Sequence, residues 1–299
     1  MRFGLLGTGW WATDTHGPGL VAAPDVELVA VWGRDPDKAA TLADRLGTQA
    51  QSDVDDLFDR VDAVAIALPP DVQADLAVRA AGAGRHLLLD KPLALDVRSA
   101  DRVVAAVETS EVASVVFFTN RFDPGVAASL DDAVQAGGWR VGRATFYSSV
   151  LLPGNERIES PWRDDHGGLW DVGPHTLASL LPVLGPAEAV TALQDDAGTT
   201  QVLVRHQGGA VSSMAVSLLM PRGADERETT FGGDAGWRSM PDRSETSSQL
   251  YVRAAQALVE TAGAGRTDHP CGVQFGRDVV AILEAVETSI RTGQTQRMR

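Results

Sequence analysis

The sequence predicts an α/β protein: an N-terminal domain built on a parallel sheet covered by helices, followed by an α+β domain with a mostly antiparallel open sheet. Three observations lead there. In the first 118 residues, short runs rich in Val, Leu and Ile alternate with longer amphipathic stretches, as expected of strands buried on both faces and joined by crossover helices. From about residue 140, strands follow one another and helices flank them, the texture of an α+β unit. At 299 residues the chain is long enough for two domains of ordinary size, and the division is drawn at 1–119 and 120–299.

Element by element, strands are predicted over 3–6, 27–32, 63–68, 86–89 and 113–118, each too apolar to be solvated on one face. Asp35 can cap a helix whose first position is Pro36, and Asp96 can cap one carrying Val97, Ala100, Val103, Val104 and Val107 on one face. The first crossover is less regular, because Gly17, Pro18 and Gly19 sit inside it. In the second half, strands are expected over 143–151, 189–193, 201–205 and 210–219, with a hairpin turn at 206–209. A further pair, 226–231 and 236–240, flanks a turn at 232–235, and helices are expected over 168–184, 246–262 and 273–292.

Charge narrows the function. Lys and Arg number 26 against 40 Asp and Glu, a net charge of −14. Surfaces that track phosphate backbones or anionic membranes need clustered basic residues, so neither nucleic acid nor a membrane surface is an expected partner. A small anionic ligand stays open, because amides at a helix start bind phosphate whatever the net charge. With 44% hydrophobic and 22% charged residues, the chain can bury a large core and is not disordered. Cys271 is the sole cysteine, which allows no internal disulfide and no Cys-rich zinc site. The apolar run after Met1 is too short for a signal peptide, and no stretch of about 18 apolar residues occurs, so a cytoplasmic protein is expected.

Gly7-Thr8-Gly9-Trp10-Trp11-Ala12 is a G-x-G-x-x-A directly after the first strand. Glycines in that place permit a tight turn and a close approach of backbone to a pyrophosphate, whose oxygens then meet the amides of the helix start. The plainer alternative is a glycine turn between strand and helix. About 20 residues on, an acidic side chain would accept from the ribose hydroxyls of NAD, whereas an open position beside an Arg suits the 2′-phosphate of NADP. The second strand ends Val31-Trp32-Gly33-Arg34. Gly33 carries no carboxylate to repel a phosphate, and Arg34 can pair with one and lie over the adenine, so NADP is the expected cofactor and NAD the alternative. Otherwise Arg34 is a solvated turn residue and Asp35 only a helix cap.

Leu68-Pro69-Pro70 ends the third long strand and Asp90-Lys91-Pro92 the fourth, at the carboxyl ends where open α/β sheets collect ligands. Lys91 there can polarise a substrate oxygen, although a lone Asp-Lys-Pro is more often a surface turn. Farther on, Gly167-Gly168 leads to Asp171 and His175, four apart and so on one helix face. The carboxylate can orient the imidazole as a general base; alone, such a pair is commonly a cap and a packed histidine. His166, Asp164 and Asp165 lie nearby without ligand spacing, so no metal is expected.

Taken in order, these motifs resemble the Gfo/Idh/MocA oxidoreductase family over nearly the whole chain. The carriers are Gly7 to Ala12, Leu68-Pro69, Asp90-Lys91-Pro92 in place of the family's Glu-Lys-Pro, Asn120-Arg121-Phe122-Asp123-Pro124, Trp162-Arg163, Gly167-Gly168 with Asp171 and His175, and a C-terminal part containing His269-Pro270 and Phe275-Gly276-Arg277-Asp278. The resemblance implies a Rossmann domain binding NAD(P) and a second domain whose sheet takes a sugar, inositol or related polyol. It implies that Lys91, Asp171 and His175 are catalytic. It places Gly7, Thr8, Gly9, Trp10, Trp11, Ala12, Leu68, Pro69, Asp90 and Lys91 on the cofactor, beside the Gly33 and Arg34 read above from the end of the second strand, and Asn120, Trp162 and Arg163 on the substrate. A homodimer or homotetramer through the C-terminal sheet is also implied. Asp90 is shorter than the family's Glu, and Pro70 and Gln73 stand where many relatives carry Asn or Thr and His near the nicotinamide. A non-catalytic sensor of the nicotinamide pool, or glycoside cleavage with NAD as an internal redox cofactor, are the alternatives; a sensor needs none of Lys91, Asp171 and His175.

Overall fold

The computed structural model describes residues 1–152 and 161–298, and within 161–165 only the side chain of residue 162. Apolar runs become buried strands as the sequence predicts. The first sheet comprises β1 (Arg2–Leu6), β2 (Glu27–Trp32), β3 (Gln49–Gln51), β4 (Ala63–Ile66), β5 (His86–Asp90) and β6 (Ser114–Phe117), ordered β3-β2-β1-β4-β5-β6 and parallel throughout. Helices α1 (Gly17–Ala22), α2 (Pro36–Leu46), α3 (Val54–Arg60), α4 (Pro70–Gly82) and α5 (Val97–Ser110) make the crossovers. The strand order reverses between β1 and β4, and such a switch point opens a crevice at the carboxyl ends. β3 was not foreseen, since Gln49-Ala50-Gln51 has neither length nor apolar content; it forms because β2 offers it an edge.

Capping fixes the helix starts. Asp35 accepts from the amides of Asp37 (3.1 Å) and Lys38 (3.2 Å), and Asp96 from that of Ser99 (2.8 Å). Asp53, in an acidic stretch that faces solvent, caps α3 through the amides of Asp55 and Asp56.

The second sheet holds β7 (Trp139–Tyr147), β8 (Ala187–Gln194), β9 (Thr200–His206), β10 (Val211–Ser217), β11 (Glu226–Gly233), β12 (Gly236–Ser239) and β13 (Gln296–Arg297). Its order is β12-β11-β7-β10-β9-β8-β13, and every neighbouring pair is antiparallel except β7 with β10. Helix α6 (Pro124–Ala136) precedes the sheet, α7 (Pro161–Leu184) packs on it, and α8 (Ser247–Gly263) and α9 (Val273–Thr292) follow. The expected strand at 143–151 starts earlier, at Trp139, and leaves the sheet after Tyr147.

By its contacts the chain forms two units, Met1–Phe122 with Glu245–Arg277, and Asp123–Ser244 with Asp278–Arg299. A cut at residue 119 leaves α8 with the second sheet, but α8 belongs to the first unit. Its buried Leu250, Tyr251 and Ala254 lie on the side that meets α1, β5 and β6. The irregular first crossover exists for this helix. A Cβ on Gly19 would stand 2.9 Å from Tyr251, and one on Gly17 would stand 2.7 Å from Leu46.

Burial lowers the pKa of three histidines. His206 contacts the Gly185 carbonyl (2.7 Å) and the Ser212 hydroxyl (2.8 Å), and burial lowers its pKa against the opposing carbonyl bond. Burial likewise lowers His86. Burial, with Arg121 and Arg266 adding positive charge, pushes His269 down from 6.5 to about 4. Between those two values the unfolded chain binds a proton that the folded chain refuses, so stability rises with pH across the window and is lost as pH falls through it. His269→Asn, whose amide oxygen can still accept from the Cys271 N–H that Nδ1 now takes at 3.0 Å, is expected to flatten the change in urea midpoint between pH 7 and pH 5. An unaltered slope would refute the assignment.

Candidate active site

The turn after β1 is shaped by glycine. Gly7 has φ +128°, a conformation L side chains avoid, and a Cβ there would strike the Ala67 carbonyl. Its amide donates to the Trp32 carbonyl at 2.8 Å, tying the turn to β2. Gly9 is different: a Cβ on it would meet nothing within 4 Å. Packing does not demand glycine there, so its lack of a side chain serves whatever approaches the backbone from outside. A helix starts at Trp10, relaxes into a π-turn over Ala12–His16 and continues as α1. Ala12 is fully buried, which brings the helix close to the sheet. Trp10 and Trp11 flank the turn with ring centroids 5.3 Å apart. This cradle fits a dinucleotide pyrophosphate: open backbone amides at a helix start, over the switch point of a parallel sheet.

At the end of β2, a Cβ on Gly33 would come within 2.6 Å of the Thr8 methyl. A side chain at 33 would therefore require the Thr8 side chain to shift. Asp35 is occupied by its cap, and Lys38 Nζ lies 3.8 Å from it. Arg34 is exposed and, among the described residues, pairs with no carboxylate.

The turn after β5 carries Lys91, and its polar groups are held from inside. Gln73 on α4 is buried; Nε2 donates to the carbonyls of Asp90 (2.8 Å), Pro92 (3.1 Å) and Leu93 (3.3 Å), while Oε1 accepts from the Asp90 amide (2.8 Å). Asp90 Oδ1 accepts from the Lys91 amide at 2.7 Å, and Oδ2 lies 3.4 Å from Nε2 of the fully buried His16. That imidazole stacks on Tyr251 at 4.0 Å and meets the edge of Phe117 at 6.1 Å. Burial, then the Asp90 charge, raises the Tyr251 phenol well above its usual range. Leu68 and Pro69 sit half-buried where β4 leads into α4, and Asn120 lies half-buried in the 3-10 turn Thr119–Phe122 that follows β6.

In the second unit, α7 breaks at Gly167 (φ 62°, ψ −160°) and resumes at Gly168, near the predicted start. A Cβ on Gly168 would stand 3.1 Å from the Leu218 amide, so glycine lets the helix approach β10. Trp170 is fully buried and donates from Nε1 to Glu287 at 2.6 Å, which fixes the helix in rotation. That orientation leaves Asp171 buried and His175 half-buried one turn on, the latter 6.0 Å from the Phe146 ring of β7. Trp162 is half-buried; the side chains of Arg163, Asp164 and Asp165 lie outside the described residues. Among the described residues, no three His, Cys, Asp or Glu side chains gather as a metal site. No helix among them is long and apolar enough to cross a membrane.

Comparison with known proteins agrees with this architecture. The profile of an oxidoreductase family with an NAD-binding Rossmann fold, Gfo/Idh/MocA, matches residues 1–118. An uncharacterized oxidoreductase of Rhizobium meliloti, ORF334, is 37% identical over 235 residues, covering 73% of this chain and 68% of the relative. The chain belongs to the Gfo/Idh/MocA oxidoreductase family. The NADP(+)-dependent D-xylose 1-dehydrogenase 2 of Haloferax volcanii is 29% identical, covering 100% of this chain and 91% of its own. Among solved structures, GenD2 from gentamicin A biosynthesis, in complex with NAD, superposes with a TM-score of 0.86 at 23% identity, covering 100% of this chain and 96% of that one. The chain is an NAD(P)-dependent enzyme of dehydrogenase or reductase type acting on CH–OH groups.

As a Gfo/Idh/MocA protein it departs from the family motif in an orderly way. Asp90 replaces the longer Glu, accepts from the Lys91 amide and lies 3.4 Å from His16 Nε2. Gln73, at a position expected near the nicotinamide, is turned inward onto the lysine turn. His16 carries no sequence signal as a site residue, because its partner is 74 positions away, and the inward role of Gln73 is hidden because its partners are 17 to 20 positions away. Gln73→Leu leaves the Asp90 amide buried without an acceptor and is expected to cost about 1–3 kcal/mol. The urea unfolding midpoint checks this, and parental stability would show that the clamp is dispensable.

Proposed function

We propose that the chain is an NADP(H)-preferring dehydrogenase or reductase acting on a secondary alcohol or carbonyl of a sugar, inositol or related polyol. The observation that carries the cofactor choice is the end of β2, where Arg34 is unpaired among the described residues while Asp35 is consumed as a helix cap and Gly33 carries no carboxylate. The Haloferax relative, an NADP(+) enzyme by name, supports the same preference. In this reading Gly7, Thr8, Gly9, Trp10, Trp11 and Ala12 hold the pyrophosphate, Gly33 and Arg34 the adenosine side, and Leu68, Pro69, Asp90 and Lys91 the nicotinamide side.

The bound dinucleotide supplies the hydride acceptor or donor. In the oxidative direction His175 takes the hydroxyl proton, with Asp171 orienting the imidazole, and the Lys91 ammonium stabilises the developing oxyanion. Reduction reverses the proton's path. Asn120, Trp162 and Arg163 are assigned to substrate contacts.

Titration with NADPH and NADH, followed through quenching of Trp10, Trp11 and Trp32, is expected to show tighter NADPH binding. One charge-assisted contact worth about 1.5–3 kcal/mol should disappear in Arg34→Ala. Better binding of NADH would overturn the preference. Lys91→Ala and His175→Ala should each lower turnover by about 10²–10⁴ with the NADPH Kd nearly unchanged, and full turnover in both would sink the site.

Val141, Leu193, Leu203, Val211 and Trp237 project from the outer face of the second sheet; Leu193 is 73% and Trp237 60% exposed. An apolar sheet face of this kind is a self-association surface, and a dimer or tetramer is the proposed state. Sedimentation as a monomer at micromolar concentration would contradict it.

A further inference from the structure

The face of the second sheet that α7 covers is apolar at one end and cationic at the other. Gly142, Ala144 and Phe146 of β7 pair with Phe231, Thr229 and Arg227 of β11, so all six point to the same side. Gly142 lies under Leu180 and Leu184 of α7, and Phe231 and Ala144 are buried. Two residues farther along, cover thins: Phe146 is half-buried and Arg227 exposed. Phe146 touches both chemistries, since its ring lies 6.0 Å from that of His175 and the Arg227 guanidinium sits 4.4 Å over it. Stacking on an aromatic face holds a guanidinium plane in place while its N–H edge stays available to a planar oxyanion.

A second cation lies close by. Burial of its guanidinium and then the positive charge of Arg227 lower the pKa of Arg243, with Asp123 opposing. Acidic side chains abound in this chain, 40 against 26 basic ones, yet among the described residues none forms an ion pair with Arg227.

The geometry points to a substrate with an anionic group: Arg227, stacked on Phe146, takes a carboxylate or phosphate of a sugar whose reacting carbinol faces His175. This rests on the assignment of His175 above and deepens it to a substrate class, namely a sugar acid, a sugar phosphate or a nucleoside diphosphate sugar.

The test is calorimetric titration of the full chain, saturated with NADPH so that probe phosphates do not compete for Arg34, with glucose, glucuronate, glucose 6-phosphate and UDP-glucose. At least one anionic probe is expected to bind tenfold or more tightly than glucose, and the tightest of the three tells carboxylate from phosphate. Arg227→Met should bring that ratio below threefold, Arg227→Lys should restore part of it, and added salt should shrink it. Equal binding of glucose, a ratio that survives Arg227→Met, or no heat from any anionic probe would each overturn the assignment. Because binding is read without turnover, the result is separate from the fate of Lys91 and His175 as catalytic groups. If NADPH does not bind, the cofactor reading falls and the same titrations on Arg34→Ala still decide this one.

Discussion

Burial of the central parallel strands β1, β4, β5 and β6 on both faces is the constraint from which the rest of the first unit follows. Such strands satisfy their backbone groups sideways, along the ladder, and carry only apolar side chains above and below. Polar chemistry is thereby expelled to the strand ends. At the carboxyl ends the glycine turn after β1, the Gly33-Arg34 pair after β2, Leu68-Pro69 after β4 and Asp90-Lys91 after β5 succeed one another. The order β3-β2-β1-β4-β5-β6 places β1 and β4 side by side at the point where the connections diverge, so the turn that can accept a pyrophosphate lies next to the turn before α4.

Placing a lysine at such an end creates a second demand. The turn that carries it brings backbone amides and carbonyls into the interior, and each needs a partner there. One carboxamide, that of Gln73, meets four of those groups. On the other side of the turn Asp90 is close to His16, which is wedged among Tyr251, Phe117 and Trp11. The short Asp in place of the family's Glu is compatible with this arrangement, because its oxygens are spent on the Lys91 amide and near the buried imidazole. Tyr251 arrives from α8, far along the chain, so the lysine turn depends on a helix that follows the second sheet in sequence.

Local signals were legible and distant ones were not. The strand Glu27–Trp32, the helix Val273–Thr292, the caps at Asp35 and Asp96 and the restart of α7 at Gly168 can all be read from residues within one or two turns of each other. The family motifs were legible for the same reason: each is a short string at a strand or helix end. By contrast β3 exists only because β2 exposes an edge, and α8 joins the first unit only because Tyr251 finds a place over β5 and β6. Gln73 and His16 are ordinary residues in their own helices, and Arg227 is one basic residue in a run of Glu226, Arg227, Glu228. Strand pairing gives them meaning: Glu226 and Glu228 fall on the opposite face of β11, and Arg227 alone of the three turns toward Phe146.

The distribution of ion pairs bears on both proposed anion-recognition sites. Arg2, Arg79, Arg102, Arg140, Arg253 and Arg277 each reach a carboxylate within 2.9 Å. Exposed pairs of this sort add at most about 1 kcal/mol each, so their main consequence is that those arginines are already neutralised. A cation that must recognise a ligand's charge cannot be neutralised beforehand, since the ligand would first have to displace the internal partner. Arg34 beside the glycine turn and Arg227 beside Phe146 meet that condition; among the described residues Arg98, Arg143, Arg205, Arg222, Arg266 and Arg291 also form no ion pair, and it is their place beside a candidate site that sets the first two apart. The chain's large negative charge makes the condition more exacting: with acidic side chains in excess, a guanidinium escapes pairing only where the local fold directs the neighbouring carboxylates away. Asp35 is directed into its helix cap and Glu226 and Glu228 to the far side of their strand. In both places the same local geometry that withdraws the acid leaves the arginine available.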